Sequence, residues 1–296
     1  MYFRAYYGVP ESMTAPDGLP VNAVRGFLDA VARLVTEYRP QQLVATFDAD
    51  WRPQFRVDLL PAYKAQRVAD DGDEEVPDTL SPQVPVIQAI LDAIGITRCE
   101  VAGFEADDVL GSIAEQAPGP VDVVSGDRDL FQLVDDERGI RVLYIARGFG
   151  RLEVLDEAAV LAKYDVPARH YADFAALRGD PSDGLPGVRG IGDKSAAALV
   201  QQFGSIEDLM AALADQESDV PHRGKLEAAS DYLRVAPRVV RVRRDLVLDL
   251  DFGAAAAPFT GALAHASDLE ALVERYGVKS SVTRLCTALS VSDSVG

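Results

Sequence analysis

Acidic residues occur in four short groups that are well separated along the chain and contain no histidine. Carboxylate oxygens without nitrogen or sulfur ligands select hard cations such as Mg²⁺ or Mn²⁺. Two such ions about 4 Å apart can activate a water molecule and neutralise charge on a phosphodiester. The residue types therefore predict phosphate-ester hydrolysis that uses two or more metal ions. The four groups supply Asp48; Glu105, Asp107 and Asp108; Asp127 and Asp129; and Asp180 and Asp183.

Each group also has a simpler explanation when it is considered alone. Acids at 105–108 suit a helix N-terminus because of the helix dipole, and Gly-Asp-Pro-Ser-Asp-Gly at 179–184 is typical of a turn. Asp127 and Asp129 would point to the same side of an extended segment, so both could address one ion. Without a metal ion, so many acids in one pocket would repel one another and raise some pKa values. The metal prediction therefore depends on the groups meeting in space.

The elements between these groups predict how they could meet. β-branched runs at 43–47, 121–124 and 140–145 alternate with helical patterns at 21–38, 83–94, 106–115 and 157–164. This alternation predicts an α/β fold with a mostly parallel sheet flanked by helices. In such folds the working site lies beyond the carboxyl ends of the strands. Asp48, Asp127 and Asp129 occupy that position.

The pattern changes near Pro167, where glycine-rich turns and helices replace the strands. We expect an α/β domain over 1–167, which contains an acidic stretch after Arg67 that should be mobile, and a helical region over 168–296. A tight glycine-punctuated loop at 185–194 leads into a helix start at Ser195, and 269–276 is a further predicted helix.

Composition limits the possible functions without choosing among them. The 296 residues carry a formal net charge of −18, which is unfavourable for a DNA-binding protein unless bound cations reverse the local field. A basic segment between Pro221 and Arg244 suits either a DNA-binding stripe or a solvated helix face. We predict a cytoplasmic protein, because the sequence shows no secretory signal and no apolar run long enough to span a membrane. The two cysteines, which have neither a metal-binding nor a redox spacing, agree with this prediction. The histidines lie outside the acidic groups, so a zinc site is not expected.

Several longer motifs, in this order, resemble the signatures of the flap endonuclease / 5′-3′ exonuclease family of bacteria. They are Gly-Phe-Glu-Ala-Asp-Asp-Val-Leu-Gly, Ser-Gly-Asp-Arg-Asp-Leu, Leu-Arg-Gly-Asp-Pro-Ser-Asp-Gly-Leu-Pro-Gly-Val and Gly-Ile-Gly-Asp-Lys-Ser-Ala. The family includes the nuclease domain of DNA polymerase I and stand-alone actinobacterial enzymes, which this sequence resembles most. The resemblance extends from Met1 to about Arg244.

This resemblance implies a PIN-like α/β nuclease domain with a helical arch at about 52–90, followed by a helical DNA-binding region with a helix–three-turn–helix. The implied activity is metal-dependent hydrolysis of DNA at 5′ flaps, nicked or gapped duplex and 5′ ends, during replication and repair. A monomer in the bacterial cytoplasm, associated with the nucleoid and not with a membrane, is expected. The implied metal ligands are Asp48, Glu105, Asp107, Asp127, Asp129, Asp180 and Asp183, with Asp108 as an additional or outer member.

The resemblance also implies which residues contact DNA. Lys64 and Arg67 would hold the scissile phosphate, with Arg4 close by, and Tyr63 could stack on a base if 63–67 is helical. The loop at 187–195 would approach duplex phosphates and hold a potassium ion through backbone carbonyls. The implied DNA-binding residues are Arg56, Tyr63, Gly190, Ile191, Gly192, Lys194, Ser195, Arg223 and Lys225.

The sequence departs from the family at its beginning. Family members have a strand ending in Asp-Gly just before the segment that matches residues 1–6, so we expect that strand to lie upstream of Met1. If it is absent, a catalytically impaired protein that binds branched DNA is the alternative. Two other enzyme classes are less consistent with the sequence. A phosphatase with Asp48 and Asp50 in its nucleophile loop would need threonine at the position of Arg52. A ribonuclease of the PIN class would lack the glycine-rich loop that is present here.

Overall fold

The computed structural model describes residues 1–69, 72, 74–252 and 264–292. The strands are β1 Val44–Thr46, β2 Thr97–Cys99, β3 Val121–Ser125, β4 Ile140–Tyr144 and β5 Glu153–Leu155. The helices are α1 Tyr2–Gly8, α2 Asn22–Tyr38, α3 Gln54–Leu59, α4 Gln83–Ile94, α5 Ala106–Gln116, α6 Glu157–Tyr164, α7 Tyr171–Arg178, α8 Asp193–Phe203, α9 Ile206–Ala214, α10 Arg223–Ala228, α11 Ser230–Val240, α12 Ala266–Tyr276 and α13 Lys279–Ser292.

The strands form two small sheets in the described part of the chain. β1 pairs in parallel with β2, β3 pairs in parallel with β4, and β5 closes the second sheet in the antiparallel direction. The predicted strands and helices of the first domain are confirmed within one residue at each end. β2 and β5 were not predicted, because three-residue strands carry too little periodicity to be recognised.

The amphipathic helix α2 forms the centre of the N-terminal core. Leu28 and Val31 are buried on the face that packs with α4, whose Ile87 and Ile90 are fully buried. Helices α12 and α13 join this same core through Leu269 and neighbouring apolar residues. They therefore pack with the first domain, contrary to the expectation that residues 168–296 form one region.

Helices α7 to α11 pack around a second core, which is continuous with strands β3 to β5. Tyr171 and Phe174 on α7 are fully buried. The Tyr171 ring contacts Phe131, which follows β3, and the Phe174 ring packs against Tyr171. The described residues after 167 contain no strand, in agreement with the predicted helical character. The boundary near residue 168 stays a prediction. No described helix is long and apolar enough to cross a bilayer.

The predicted arch has a different local structure from the one expected. Residues 63–67 are not an α-helix: Lys64 has a left-handed backbone with φ of 50°, and 3₁₀ helix Ala65–Arg67 follows. Val68 and Glu74 then form an antiparallel bridge. Asp70, Asp71 and Asp73 of the acidic stretch lie outside the described residues. Tyr63 and Arg67 therefore do not share a helical face.

Candidate active site

Carboxylates from three segments line one small cavity at the carboxyl ends of β1 and β3. The cavity has a volume of about 20 Å³ and also borders Tyr63, Lys64 and Arg56. Its acidic lining residues are Glu105, Asp107, Asp127, Asp129 and Asp183. Asp48 lies on the adjoining cavity together with Glu105, Asp107 and Asp127. The structure thus brings together six of the eight predicted acids.

Local backbone geometry places these acids. Glu105 precedes the first residue of α5, and its backbone N–H donates to Asp108 Oδ2 at 3.3 Å, as in a capping box. Asp48 accepts a hydrogen bond from the Ala106 N–H at 2.7 Å, which ties the end of β1 to the same helix start. Asp127 accepts from the Asp129 N–H at 2.9 Å. Asp129 therefore begins a 3₁₀ helix rather than continuing an extended segment, yet both carboxylates still reach the cavity.

The cavity disfavours ionised carboxylates in the absence of a cation. Burial raises the pKa of Asp107 well above its ordinary value, and the charges of Asp127 and Glu105 raise it further. Burial likewise raises the pKa of Asp129, with added repulsion from Asp127 and Asp183. Such a site gains the most from a divalent cation, which would remove the repulsion among the oxygen donors.

Two basic side chains neutralise part of this charge. Lys64 is mostly buried and pairs with Glu105, while Arg67 donates to Asp183 Oδ1 at 2.5 Å. Burial raises the pKa of Glu105, and the neighbouring Lys64 and Arg56 charges oppose that rise. Arg4 is exposed and lies over Gly126, next to Asp127. The predicted phosphate-binding cations therefore lie at the acidic site, where Lys64 and Arg67 pair with carboxylates.

Asp108 and Arg56 form a buried ion pair beside the acidic cavity. Both side chains are buried, and Arg56 donates two hydrogen bonds to Asp108, at 2.6 and 2.7 Å. Arg56 also donates to Glu105 at 2.7 Å and to the Val239 carbonyl at 2.9 Å. Asp108 further accepts from the Arg243 N–H at 2.8 Å. Asp108 thus pairs with Arg56 and with the backbone after α11, and it does not line the acidic cavity. The Arg56 side chain is only 3% exposed, so its predicted DNA contact is not supported.

Tyr63 is also buried, which contradicts the expectation that it stacks on a base. Its hydroxyl donates to Glu105 Oε2 at 2.7 Å, and the side chain is only 4% exposed. Burial beside Glu105 raises the pKa of Tyr63 well above its ordinary value. The hydroxyl therefore stays a donor and holds the Glu105 carboxylate in place.

Asp180 lies next to the cavity but does not line it. One carboxylate oxygen accepts from the backbone and hydroxyl of Ser182, at 2.9 and 2.5 Å. The other pairs with Arg128 at 3.0 Å and Arg178 at 3.6 Å. Arg128 was not among the predicted site residues, although its position between Asp127 and Asp129 indicates that it lies close to the acids. Direct metal binding by Asp180 would require its hydrogen bonds with Ser182 or its ion pairs with Arg128 and Arg178 to break.

The loop that carries Asp183 packs tightly on the segment that carries Lys64. Gly184 has φ of 72°, and a Cβ there would lie 2.0 Å from the Ala62 carbonyl oxygen. The Lys64 N–H donates to the Asp183 carbonyl at 3.0 Å. Only glycine permits this approach, so the Gly-Asp-Pro-Ser-Asp-Gly motif serves both as a turn and as a contact surface.

No group of three or more acidic, histidine or cysteine side chains among the described residues is already arranged to hold a metal ion. Lys64 pairs with Glu105 and Arg67 pairs with Asp183, so two of the carboxylates already have basic partners. The donor set nevertheless fits a hard divalent cation, because every lining acid supplies oxygen and the cavity admits an atom of water size. Glu105, Asp107, Asp127, Asp129 and Asp183 are the residues that could hold it, with Asp48 on the adjoining side.

The glycine-rich loop before α8 lies on the helical region. Gly190 and Lys194 are exposed, Ser195 is partly buried, and the Ile191 side chain is buried in the core. Gly192 immediately precedes the first residue of α8. Lys225 donates to the Gly190 carbonyl at 2.9 Å, so a positive group already contacts the backbone of this loop.

The basic segment after Pro221 is not a continuous DNA-binding stripe in the described structure. Arg223 donates to the carbonyls of Leu213, Asp215 and Ser218 at 2.7 to 2.9 Å, which closes the turn before α10. Arg241 pairs with Glu207 at 2.7 Å. The hydrogen-bonding capacity of Arg223 is used within the protein, so its predicted DNA contact is not supported.

Two family models cover most of the chain. The N-terminal resolvase-like domain of 5′-3′ exonucleases matches residues 1–165, and their C-terminal SAM fold matches residues 166–259. The chain belongs to the 5′-3′ exonuclease family. This confirms the resemblance inferred from the sequence motifs.

Relatives of this family agree over nearly the whole length. A 5′-3′ exonuclease of Streptomyces coelicolor is 56% identical, with 98% of this chain and 97% of the relative covered. A 5′-3′ exonuclease of Mycobacterium tuberculosis is 49% identical, with coverage of 98% and 95%. DNA polymerase I of M. tuberculosis is 41% identical over 70% of this chain, which corresponds to 22% of that polymerase.

Solved structures support the fold class. The T5 D15 protein co-crystallised with metal ions has a TM-score of 0.59 at 17% identity, with 90% of this chain and 89% of that chain covered. The catalytic core of Rad2 in complex with DNA substrate has a TM-score of 0.57 at 17% identity, with coverage of 97% and 89%. At this level of identity the similarity concerns the fold alone. The predicted PIN-like domain followed by a helical region is confirmed.

Proposed function

We propose that this protein is a divalent-metal-dependent 5′ nuclease that hydrolyses phosphodiesters at 5′ flaps and 5′ ends of duplex DNA in replication and repair. The observation that carries the proposal is the cavity in which Glu105, Asp107, Asp127, Asp129 and Asp183 converge with Lys64. Burial and mutual repulsion raise the pKa values of Asp107 and Asp129, so the cavity is suited to a cation. Family membership supports the reaction class.

Mg²⁺ or Mn²⁺, in two or more positions, is the proposed cofactor. When bound, such ions supply an activated water molecule and neutralise charge on the phosphate. Glu105, Asp107, Asp127, Asp129, Asp183 and Asp48 would hold them directly or through water. Tyr63 and Arg56 fix the orientation of Glu105 by hydrogen bonds of 2.7 Å each.

The cations at the edge of the cavity have a proposed role toward the scissile phosphate. Lys64 and Arg67 pair with Glu105 and Asp183 in the described structure. Once those carboxylates hold cations, both basic groups can turn to a phosphate and stabilise its developing charge. Arg4, exposed over Gly126, would contact the same strand.

DNA duplex is the proposed partner of the helical region, and the protein would act as a monomer. The exposed loop residues Gly190, Gly192 and Lys194 precede or begin α8, where backbone N–H groups suit a phosphate. A potassium ion at this loop would compete with Lys225 for the Gly190 carbonyl. Lys225 therefore could substitute for that ion in the absence of DNA.

A labelled 5′-flap substrate tests the proposal. Wild-type protein should release the flap with Mg²⁺ or Mn²⁺ and not with a chelator, because the acids alone cannot activate water. The double variant Asp127→Asn with Asp129→Asn should bind the flap and leave it intact. Binding without cleavage by wild-type protein under every metal condition would instead favour a branched-DNA-binding protein.

A further inference from the structure

A chain of ion pairs connects the acidic site with the helical region. Asp180 lies in it between two arginines, because Arg128 donates to Asp180 Oδ2 at 3.0 Å and an Arg178 nitrogen lies 3.6 Å from the same oxygen. Arg178 also lies 3.9 Å from Asp193, the first residue of α8. The chain therefore extends from the loop after β3 to the helix that follows the glycine-rich loop.

The two arginines differ in how firmly the protein holds them. The Arg178 side chain is 13% exposed, donates to the Gly179 carbonyl at 3.1 Å and lies over the Phe174 ring. Arg128 is 41% exposed, and its side-chain hydrogen bond in the described part of the chain is the one to Asp180. A guanidinium carries five N–H donors, so most of those on Arg128 have no protein acceptor there. Arg128 is thus the arginine that can leave Asp180.

Arg128 lies in the neighbourhood of Arg4, the exposed residue that we propose as a phosphate contact. Burial raises the pKa of Tyr144, and the charges of Arg128 and Arg4 both oppose that rise. The Arg4 side chain lies over Gly126, two residues before Arg128. Lys and Arg groups supply the sequence-independent affinity for DNA, and a guanidinium can bind a phosphate with two parallel hydrogen bonds. Arg128 and Arg4 therefore border the acids with positive charge that a DNA strand can reach.

The Asp180 carboxylate acts on the cavity although it does not line it. Burial raises the pKa of Asp129, and the neighbouring acids, Asp180 among them, raise it further. Asp180 Oδ1 accepts from the Ser182 N–H at 2.9 Å, which closes the turn that Asp180 precedes. Oδ2 is the oxygen that pairs with the arginines. Once Arg128 has left, Oδ2 would be able to turn toward Asp129 while Oδ1 keeps the turn closed.

We propose that Arg128 contacts a DNA phosphate and that it exchanges Asp180 for this phosphate when the substrate binds. The exchange releases Asp180 Oδ2, which then joins Asp129 and Asp183 in holding a divalent cation. DNA and the cation therefore bind cooperatively, and Arg128 positions Asp180 without contacting the cation. This inference rests on the proposed nuclease function and adds a residue to its substrate-binding surface.

The salt dependence of flap binding tests the phosphate contact. In chelator, Arg128→Gln should lower the slope of log affinity against log salt by about 1, as measured by anisotropy with labelled 5′-flap DNA. Arg128→Lys keeps the positive charge and should keep the slope. Arg141→Gln should keep it too, and it is the matched control because Arg141 is 44% exposed and pairs with Asp122 at 2.6 Å. A wild-type slope in Arg128→Gln would overturn the proposal.

The effect of a cation on flap binding tests the release of Asp180. Ca²⁺ is the probe, because it also takes oxygen ligands, and affinities are taken before any cut product appears on a gel. In wild-type protein, Ca²⁺ should raise the flap affinity at least about tenfold over the affinity in chelator. Arg128→Gln should reduce this enhancement at least about threefold, because Asp180 is already released before DNA binds. Arg4→Gln should weaken flap binding equally with and without Ca²⁺ and so keep the enhancement.

Calorimetric titration of Ca²⁺ into the DNA-free protein separates the exchange from a merely structural role. Arg128→Gln should bind Ca²⁺ at least about threefold more tightly than wild type, because Asp180 has lost a positive partner. The increase should exceed that in Arg4→Gln, which also removes one positive charge near the acids. Asp180→Asn should bind Ca²⁺ more weakly than wild type. Weaker Ca²⁺ binding by Arg128→Gln, or a full Ca²⁺ enhancement of its flap binding, would overturn the proposal.

Cleavage by wild-type protein distinguishes failure of this inference from failure of the proposed function. If wild-type protein cuts 5′ flaps with Mg²⁺ while Arg128→Gln keeps the wild-type salt slope and Ca²⁺ enhancement, the nuclease function stands and the role of Arg128 is refuted. If wild-type protein neither binds nor cuts flap DNA, both the proposed function and this inference are overturned.

Discussion

Replacement of the buried Arg56 by methionine should destabilise the protein strongly, whatever its activity. The Arg56 side chain is 3% exposed and pairs with Asp108 and Glu105, which are 0% and 7% exposed. Its Nε also donates to the Val239 carbonyl at 2.9 Å. Removal of one partner from a buried ion pair costs about 3–5 kcal/mol, because it leaves buried charge uncompensated. That loss raises the unfolding equilibrium constant between about 10²- and 10⁴-fold.

Urea unfolding followed by circular dichroism, in chelator, measures this loss without any contribution from bound metal. Arg284→Met is the matched control, because Arg284 pairs with Asp29 at 2.7 Å on the surface, where the side chains are 54% and 41% exposed. An exposed pair of this kind contributes about 0–1 kcal/mol. A loss below about 1 kcal/mol in Arg56→Met, equal to that of the control, would refute the structural role of the Arg56–Asp108 pair.

Three further predictions concern the site and the DNA-binding surface. Lys64→Ala should slow single-turnover flap cleavage by about 10²- to 10³-fold with little change in flap affinity, whereas Lys163→Ala, which breaks a surface pair with Glu153, should change neither. In chelator, the contribution of Asp107 and Asp129 to the free energy of unfolding should be greatest below about pH 4 and should fall as pH rises through their raised pKa values, because the folded chain holds those protons more tightly. Urea unfolding measured at a series of pH values should show this decrease. Added Mg²⁺ should reverse it, because metal binding favours the ionised carboxylates. Lys225→Ala should weaken duplex binding for all sequences alike and lower the slope of log affinity against log salt by about 1, as measured by anisotropy titrations.

The sequence was sufficient to predict that the acids converge. Asp48 and Asp127 follow strands of the first domain, and the carboxyl ends of parallel strands meet at one edge. Helix α5 begins at Ala106, as predicted, which places Glu105 and Asp107 at the same edge. Local patterns suffice here because strand direction and helix starts are encoded by neighbouring residues.

The partners of individual side chains could not be predicted in this way. Arg56 and Asp108 are 52 residues apart, and nothing near either residue indicates a buried pair. Lys64 adopts a left-handed backbone because the segment 60–64 packs against the Asp183–Gly184 turn, which overrides its helical propensity. Asp180 looks identical to Asp183 in sequence, but Arg128 and Ser182 occupy its oxygens.

The C-terminal helices show the same limit at a larger scale. The apolar residues of α12 and α13 predict burial but not the surface that they cover. In the structure Arg25 donates to the Gly277 carbonyl at 2.7 Å, and Leu285 packs in the core formed by α2 and α4. Contacts between residues about 250 positions apart depend on the whole fold.

Single-turnover cleavage of a 5′-flap duplex and of a 3′-flap duplex of the same sequence tests the central claim most directly. With Mg²⁺ or Mn²⁺, wild-type protein should cut the 5′ flap, leave the 3′ flap intact and lose all cutting in chelator. Asp127→Asn with Asp129→Asn should bind both duplexes as wild type does and cut neither. Equal cutting of both flaps, or cutting that survives in chelator or in the double variant, would contradict the claim that these carboxylates form the metal site of a 5′ nuclease.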